Sequence, residues 1–275
     1  MLVIIGLIVG GVLVGADLIQ VAKIRGTISQ IDRYNAAANA FRGKYGGIPG
    51  NLQAGLAAQF GFAARSGAKG QGSGNGVIEG WDVAGLVNNG TSESAGETSL
   101  FWVDITTTGL MSDGGFTTAT SSTWLCGGGC VGNTIDNYFP RAKIGGYIYV
   151  WSYAGTNYFG LSNVTFIGGV TLIAGPNLTP LQSSSIDSKV DDGFPQTGSV
   201  LARYVSNYFD ATYNPSWVIW AKGGGQNIPG PSDTSATPVT SSTCYDNGGT
   251  AGSPQQYSVA TNGGLNCALS FRVQF

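Results

Sequence analysis

The sequence predicts an α+β protein in which one long N-terminal α-helix, about 45 residues, packs on a C-terminal antiparallel β-sheet domain with short helices and long loops. Three observations support this class. Helical periodicity runs through the first part of the chain, strand patterns come only later, and glycine supplies 45 of the 275 residues. This glycine share is about twice the usual frequency and is typical of loop-rich proteins. We therefore expect an N-terminal helix over 1–49 and a globular head over 50–275.

The long helix is predicted to have two chemically different halves. Residues 1–16 (MLVIIGLIVGGVLVGA) carry no charge, whereas 17–45 mixes charged residues with an apolar stripe. An all-apolar helix needs lipid or similar helices around it, while a striped helix packs on a globular domain. Gly46-Gly47-Ile48-Pro49 should end the helix, because glycine takes the left-handed cap and proline forbids continuation. The stripe consists of Val21, Ile24, Ile28, Ile31, Ala38, Phe41 and Tyr45.

The apolar half has two other interpretations. As a helix it would rise about 24 Å, less than the ~30 Å hydrocarbon core of a bilayer, so alone it barely crosses a membrane. A secretory signal is the second alternative, since Val14-Gly15-Ala16 is similar to a cleavage site, but no Lys or Arg precedes the apolar run. The helical pattern continues beyond Ala16, so we expect the segment to be retained.

The head is predicted to contain short helices and several strands. Thr179-Pro180 combines an N-cap residue with proline at the first helical position, which predicts a helix ending near Asp192-Gly193. Ile144–Ser152 and Tyr158–Leu161 flank turn residues and predict a β-hairpin. Further helices are expected within 51–65 and 97–110, a flexible loop at 67–76, and strands at 164–173, 200–205, 217–221 and 268–275.

The composition excludes several classes of function. The chain has no histidine, which removes Ser-His and Cys-His catalysis and imidazole metal ligands. A formal net charge of -2 offers no electrostatic footprint for nucleic acid as a main partner.

The four cysteines fit disulfides better than a metal site. Cys126, Cys130, Cys244 and Cys267 do not have the two-residue spacing of zinc knuckles. We expect Cys126 to pair with Cys130 across three glycines and Cys244 with Cys267 across a longer loop, with metal binding or free thiols as the alternatives. Two disulfides indicate export to an oxidising compartment.

Two groups of side chains have both a functional and a structural interpretation. Asp187, Asp191 and Asp192 could bind calcium, although their spacing is not that of an EF-hand and caps and turns also explain them. Trp151, Tyr153, Tyr158, Trp217 and Trp220 could stack on a sugar or a partner, but such residues are more often sheet core.

The N-terminal segments resemble type IV pilins and the pseudopilins of type II secretion. The resemblance is carried by LVIIGLIVGGVLVGADLIQ at 2–20 and QIDRYNAAANAFRGKYGGIPGNL at 30–52. SLFWVDITTTGLM at 99–111, LTPLQSSSIDSKVDDGFPQTGSV at 178–200 and CALSFRVQF at 267–275 look like segments of a large, disulfide-bearing group of bacterial pilin-like subunits. The leader, the N-terminal aromatic residue and the nearby acidic residue of that family are missing, so we expect the sequence to begin inside the mature helix, with an atypical subunit as the alternative. Val14 stands where the family often has proline.

The resemblance implies a structural subunit without catalytic activity and without a cofactor or metal. Its main partner would be copies of itself in an extracellular, helical filament. Before assembly the subunit would be anchored in the bacterial inner membrane, where a prepilin peptidase and the assembly machinery act on it. The residues expected to mediate assembly are Leu2, Ile4, Ile5, Leu7, Ile8, Val12 and Leu13, supported by Ile24, Ile28 and Ile31.

Two other functions remain as alternatives. A minor pilin or tip adhesin would share the helix but bind a surface or glycan through aromatic loops. A membrane-tethered hydrolase would need two carboxylates in one cleft. In addition, the Ser/Thr-rich stretch Ser232–Thr243 has the composition of an O-glycosylated segment.

Overall fold

The protein has the predicted α+β class, as seen in a computed structural model of the chain. Helices cover the N-terminal part and antiparallel strands follow after residue 147. The structure describes residues 2–80, 96–116, 135–167, 172–206, 218–220, 236, 238, 240–261 and 264–275.

Helix α1 (Leu2–Tyr45) contains 44 residues, which corresponds to a length of about 66 Å. It ends where the sequence predicts, because Gly46 adopts a positive φ of 75° and donates its N–H to the carbonyl oxygen of Arg42. Within the part of the chain that the structure describes, no helix is long and apolar enough to cross a membrane.

The second half of α1 packs on the head, as the apolar stripe predicts. Ile24 and Ile31 are each 4% exposed, and Ala38 and Phe41 are fully buried. Val21 is the exception in the stripe, since it is exposed and the first buried residue of the helix is Ile24. The head therefore covers α1 only from Ile24 onward.

Three short helices lie at the positions where the sequence predicts them: α2 (Ala54–Phe60), α3 (Glu97–Thr107) and α4 (Pro180–Val190). Helix α4 begins with a capping box in which the Thr179 hydroxyl accepts from the Gln182 N–H and the Gln182 carboxamide accepts from the Thr179 N–H. Its last residue is Val190, slightly before the predicted end.

The described strands form one main sheet and two small ones. They are β1 (Tyr147–Tyr153), β2 (Thr156–Ile167), β3 (Leu172–Gly175), β4 (Val200–Leu201), β5 (Arg203–Val205), β6 (Val218–Trp220), β7 (Tyr245–Asp246), β8 (Gln256–Tyr257) and β9 (Leu269–Arg272). The main sheet contains five antiparallel strands: four have the order β1-β2-β9-β4, and β3 pairs with the far end of β2. Two separate two-stranded sheets pair β5 with β6 and β7 with β8.

Three strand predictions need correction. The stretch predicted as one strand over 164–173 belongs to two strands, because the end of β2 pairs antiparallel with β3, which begins at Leu172. The turn of the predicted hairpin comprises only Ala154 and Gly155, which both have the positive φ that a type I′ turn requires, so β2 already begins at Thr156. The single strand predicted over 200–205 is divided at Ala202, whose N–H donates to the carbonyl oxygen of Pro195. As a result β4 pairs with β9 while β5 pairs with β6.

The core lies between α1, α3 and the inner face of the main sheet. Tyr34 of α1 meets Trp102 of α3 edge to face, with ring centroids 5.1 Å apart, and both rings approach Phe159 of β2. Edge-to-face pairs contribute about 0.5–1.5 kcal/mol beyond their buried area. These contacts fix the second half of α1 against the head.

Candidate assembly surface

The first half of α1 projects from the head with its apolar side chains exposed; we call this part of the helix, whose exposed apolar residues lie between 4 and 19, the projecting half. The described side chains among the predicted assembly residues of this half are between 58% and 73% exposed; they are Ile4, Ile5, Leu7, Ile8, Val12 and Leu13. The side chain of Leu2 lies outside the described set. At Gly10, Gly11 and Gly15, a Cβ atom would meet no described atom within 4 Å. The head therefore does not cover this half of the helix.

The exposed apolar side chains surround the helix instead of forming a stripe. Nine large aliphatic residues between 4 and 19 are exposed, and at 100° per residue they are distributed around the helix with no gap wider than about 100°. They are Ile4, Ile5, Leu7, Ile8, Val12, Leu13, Val14, Leu18 and Ile19. A surface of this kind matches a surrounding of several apolar neighbours better than a single groove.

The free energy available from burying this surface is large. Full burial of one Leu, Ile or Val side chain contributes about 1.5–3 kcal/mol, so nine of them offer on the order of 15 kcal/mol or more. Association itself costs about 4–15 kcal/mol in lost translational and rotational freedom. Burial of the projecting half thus offers a free energy of the size needed to offset the cost of association.

Polar side chains of α1 fix the orientation of the head by binding its backbone. Gln30 donates from its side-chain nitrogen to the Arg141 carbonyl oxygen at 2.9 Å and accepts the Lys143 N–H at 3.2 Å. One turn earlier, the Thr27 hydroxyl oxygen accepts the Ile144 N–H at 3.0 Å. Thr27 and Gln30 are both buried.

A second pair of side chains holds the C-terminal segment on α1. The Asn35 side-chain oxygen accepts the Gln274 N–H at 3.0 Å, and the Asn39 amide donates to the Gln274 carbonyl oxygen at 2.6 Å. Sequence reasoning missed both pairs. The available signal was the spacing of Thr27, Gln30, Asn35 and Asn39, which lie three to five residues apart in the second part of the helix. These bonds orient the projecting half relative to the head.

The three isoleucines predicted to support assembly have a different position from the others. Ile24 and Ile31 are buried in the head core, and Ile28 is partly buried against it. Within one chain, these side chains therefore attach the helix to the head. The surface open to other molecules is formed by the residues of the projecting half.

A buried carboxylate organises the loops beside α1. Glu97, the first residue of α3, is fully buried, and one of its side-chain oxygens accepts the N–H groups of Gly72 and Ser73, both at 2.9 Å. The other oxygen accepts from the Asn51 side chain at 2.8 Å and from the Glu79 N–H at 3.0 Å. Burial raises the pKa of Glu97. The glycine-rich stretch 67–76, expected to be a flexible loop, is held in place by this carboxylate.

A buried ion pair lies next to Glu97. Arg65 donates to both oxygens of Asp104, at 2.8 and 3.1 Å, and both side chains are fully excluded from solvent. Asp104 also accepts the Gly50 N–H at 2.7 Å. At Gly72 a Cβ atom would come within 2.3 Å of the Arg65 side chain, so the loop needs glycine there. The ion pair and Glu97 join three loop segments to α3.

The three aspartates at the end of α4 lie together, and their described side-chain bonds are those of caps and turns, except that Asp187 also accepts the Tyr257 hydroxyl at 2.6 Å. Ligand atoms of Asp187, Asp191 and Asp192 all lie within 4.8 Å of one another. Asp191 accepts the N–H groups of Ser199 and Val200. Asp192 accepts the Phe194 N–H at 2.9 Å and the Thr197 hydroxyl at 2.6 Å, and Asp187 accepts the Gly193 N–H at 3.1 Å. Among the described residues, no lysine or arginine forms an ion pair with any of the three.

Two of the predicted aromatics, Trp151 and Tyr158, are core residues, in agreement with the structural interpretation, and Tyr153 is partly buried against the core. Trp151 and Tyr158 are buried and stacked, with centroids 5.0 Å apart. The guanidinium of buried Arg203 lies 4.3 Å from the centroid of the Tyr158 ring and 5.3 Å from that of Trp151. Their faces are thus occupied from within the protein. Trp217 and the side chain of Trp220 lie outside the described residues.

One predicted disulfide is present between Cys244 and Cys267. Both cysteines are fully buried, and Cys267 exchanges backbone hydrogen bonds with Leu178 just before α4. The bond therefore joins the loop that contains β7 and β8 to the main sheet. Cys126, Cys130 and half of the residues in Ser232–Thr243 lie outside the described residues.

Comparison of the chain with protein-family models, with curated proteins and with solved structures finds no match.

Proposed function

We propose that this chain is a structural subunit of an extracellular filament of the type IV pilus kind, and that it assembles through the projecting half of α1. In this proposal the apolar halves of neighbouring copies associate in the centre of the filament, and the heads form its outer layer. The chain catalyses no reaction in this role.

The observation that carries the proposal is the contrast between the two halves of one continuous helix. From Ile24 onward the apolar stripe packs on the head, whereas the described large apolar side chains from Ile4 to Leu13 are each 58% or more exposed. Such a segment adds nothing to the stability of the folded head, because its apolar side chains can be buried only by other molecules. Copies of the same helix are apolar partners that are present in equal amount.

The side chains of the projecting half suit close packing of helices. Gly10, Gly11 and Gly15 carry no side chain and allow helix backbones to approach each other. If the segment is in lipid before assembly, helix association changes the apolar burial little, so the fit between side chains decides the register. By family resemblance, the inner membrane would hold the subunit first, and a prepilin peptidase and an assembly machinery would act on it.

The test introduces charge into the projecting half. We expect the variant Ile4→Asp/Ile8→Asp to form no filaments in the native host, since each buried carboxylate would cost several kcal/mol in an apolar bundle. The matched control is Leu181→Asp, because Leu181 is an exposed apolar residue of α4 on the head, with 57% exposure. Electron microscopy and quantification of sheared surface material provide the measurement.

The head serves as the internal control for folding. Near-UV circular dichroism of the purified Ile4→Asp/Ile8→Asp chain should equal that of the unchanged chain, because neither side chain contacts the core that contains Trp102 and Trp151. Filaments that persist in this variant at the amount seen for Leu181→Asp would refute the proposed assembly surface.

A further inference from the structure

Three exposed bases surround α1 where the projecting half meets the head. Lys23 and Arg25 follow the apolar run of the helix, and at 100° per residue they lie on nearly opposite sides of it. Lys143 belongs to the head and lies beside α1, since a Cβ atom at Gly26 would be 3.4 Å from the Cβ and Cγ atoms of Lys143. We call Lys23, Arg25 and Lys143 the basic collar. Among the described residues, none of the three forms an ion pair.

The basic collar lies at the level of lipid headgroups when the projecting half is in a membrane. Ile19, the last of the nine exposed aliphatic residues, is 60% exposed. Lys23 and Arg25 follow it by about 6 and 9 Å along the helix axis. The headgroup layer on each side of the hydrocarbon core is about 5–8 Å thick. Because Lys and Arg extend their charged groups along an apolar surface toward water, both side chains can reach the phosphate groups of this layer.

The balance of charge on α1 favours anionic lipid over another copy of the chain as the partner of the basic collar. Residues 17–45 contain five bases and two acids, and Asp17 is the only charged side chain among residues 1–22. Copies that pack side by side through α1 therefore supply too few acids to neutralise these bases. A surface of anionic lipids supplies phosphate groups in excess, and Lys and Arg bind such groups through charge-assisted hydrogen bonds.

We propose that the basic collar is a binding site for anionic phospholipid headgroups, a role that rests on the membrane stage of the proposed function. Each Lys or Arg near an anionic surface tightens binding about fivefold, so three bases offer about 10²-fold. Asp17 acts in the opposite direction, because it is exposed and lies about 9 Å before Lys23 on the same helix. The lipid preference therefore depends on the charges at the end of the projecting half, whereas insertion itself depends on its apolar side chains.

The test presents the full-length chain, diluted from a non-ionic detergent, with two kinds of vesicle at once. One kind consists of phosphatidylcholine, and the other contains phosphatidylcholine and phosphatidylglycerol in equal parts. Sucrose inside one kind allows centrifugation to separate them, and the amount of chain on each gives the partition ratio. We expect the unchanged chain to favour the anionic vesicles by up to about 10²-fold. Sodium chloride at about 1 M should remove most of this preference, because it screens charges beyond about 3 Å.

Two variants of α1 that lose the same charges provide a matched comparison. Lys23→Gln/Arg25→Gln should lower the preference for anionic vesicles about 25-fold, and Lys143→Gln alone about fivefold. Arg42→Gln/Lys44→Gln also removes one Arg and one Lys from exposed positions of α1. These two bases lie about 25 Å or more beyond Arg25, further than a Debye length of about 10 Å, so this variant should partition like the unchanged chain.

The variant Asp17→Asn separates a lipid partner from a second copy of the chain. Loss of the negative charge should strengthen the preference for anionic vesicles, and a weaker preference would contradict the proposal. A Lys23→Gln/Arg25→Gln chain that keeps the full preference but forms no filaments would overturn it, because the bases would then bind another copy. Equal partition of the unchanged chain between the two kinds of vesicle would overturn it as well. Intact filaments beside that result would leave the proposed function standing.

Discussion

Removal of Arg65 should destabilise the head strongly, although the residue lies far from the projecting helix. In the native protein, Asp104 accepts three hydrogen bonds, two from Arg65 and one from the Gly50 N–H. In Arg65→Met only the bond from Gly50 remains, and the carboxylate stays fully excluded from water. Breaking a buried ion pair by removal of one partner costs about 3–5 kcal/mol. Since the total stability of a domain is about 5–15 kcal/mol, this is a large part of it.

The double variant of Arg65 and Asp104 tests the predicted loss of stability. Arg65→Met/Asp104→Leu replaces the pair by apolar side chains, and such replacements are often neutral or stabilising. We expect most of the 3–5 kcal/mol to be recovered, with a residual loss because Gly50 no longer has an acceptor for its N–H and the Ala63 carbonyl oxygen loses the bond from Arg65.

Urea unfolding of the full-length chains in a non-ionic detergent, followed by tryptophan fluorescence, gives the four free energies of unfolding that a double-mutant cycle needs. The exposed ion pair of Arg141 with Asp136 provides the control, since Arg141→Met should change the free energy of unfolding by about 1 kcal/mol or less. If Arg65→Met cost no more than Arg141→Met, or if the double variant were as unstable as the single one, the buried pair would not have the role assigned to it.

Three further predictions concern the helix, the disulfide and the amount of protein in filaments. A chain that begins at Asp17 should remain folded and monomeric, whereas one that begins at Arg33 should be unfolded or strongly destabilised, because it lacks Ile24, Ile31 and the Gln30 bonds to the head. Sedimentation measures the oligomeric state of the two chains and circular dichroism their folding, and equal stability of the two chains would contradict the assigned core. Reduction of the disulfide between Cys244 and Cys267, which are 23 residues apart, should lower the free energy of unfolding by about 3 kcal/mol. Amide hydrogen exchange should then increase in residues 244–267 earlier than in α1, and four free thiols in the exported protein would contradict the predicted disulfides. A major structural subunit should dominate sheared filaments in mass spectrometry, whereas scarcity would favour the minor pilin or tip adhesin.

Much of the architecture could be predicted from the sequence where local chemistry decides it. The end of α1 follows from Gly46 and Pro49, and the start of α4 follows from Thr179 and Pro180, because caps and prolines act over a few residues. The burial of Ile24, Ile31 and Phe41 follows from their spacing on one helix face. Each of these signals requires only neighbours in the chain.

The polar interior could not be predicted in this way. Glu97 can be buried because hydrogen-bond donors from segments 18 to 46 residues away in the chain meet at its carboxylate. No local sequence pattern predicts that these segments come together. In the same way, Asn35 and Asn39 appear as ordinary polar positions until β9 brings Gln274 beside them. The division of the predicted strand at Ala202 also depends on Pro195, which forms its bond only after the loop has folded back. Long-range contacts decide all of these features.

The division of α1 links the fold to the proposed function. The head is complete without the projecting half, since its core begins at Ile24 and the bonds from Thr27 to Asn39 already fix the helix on it. The apolar character of residues 4–19 therefore cannot be explained by stability of the subunit, which would favour polar side chains on an uncovered helix. Because Thr27, Gln30, Asn35 and Asn39 bind main-chain groups of two separate head segments, rotation of the head about α1 would break several hydrogen bonds at once. In the proposed filament, contacts made by the projecting half of α1 would therefore also set the position of the whole head.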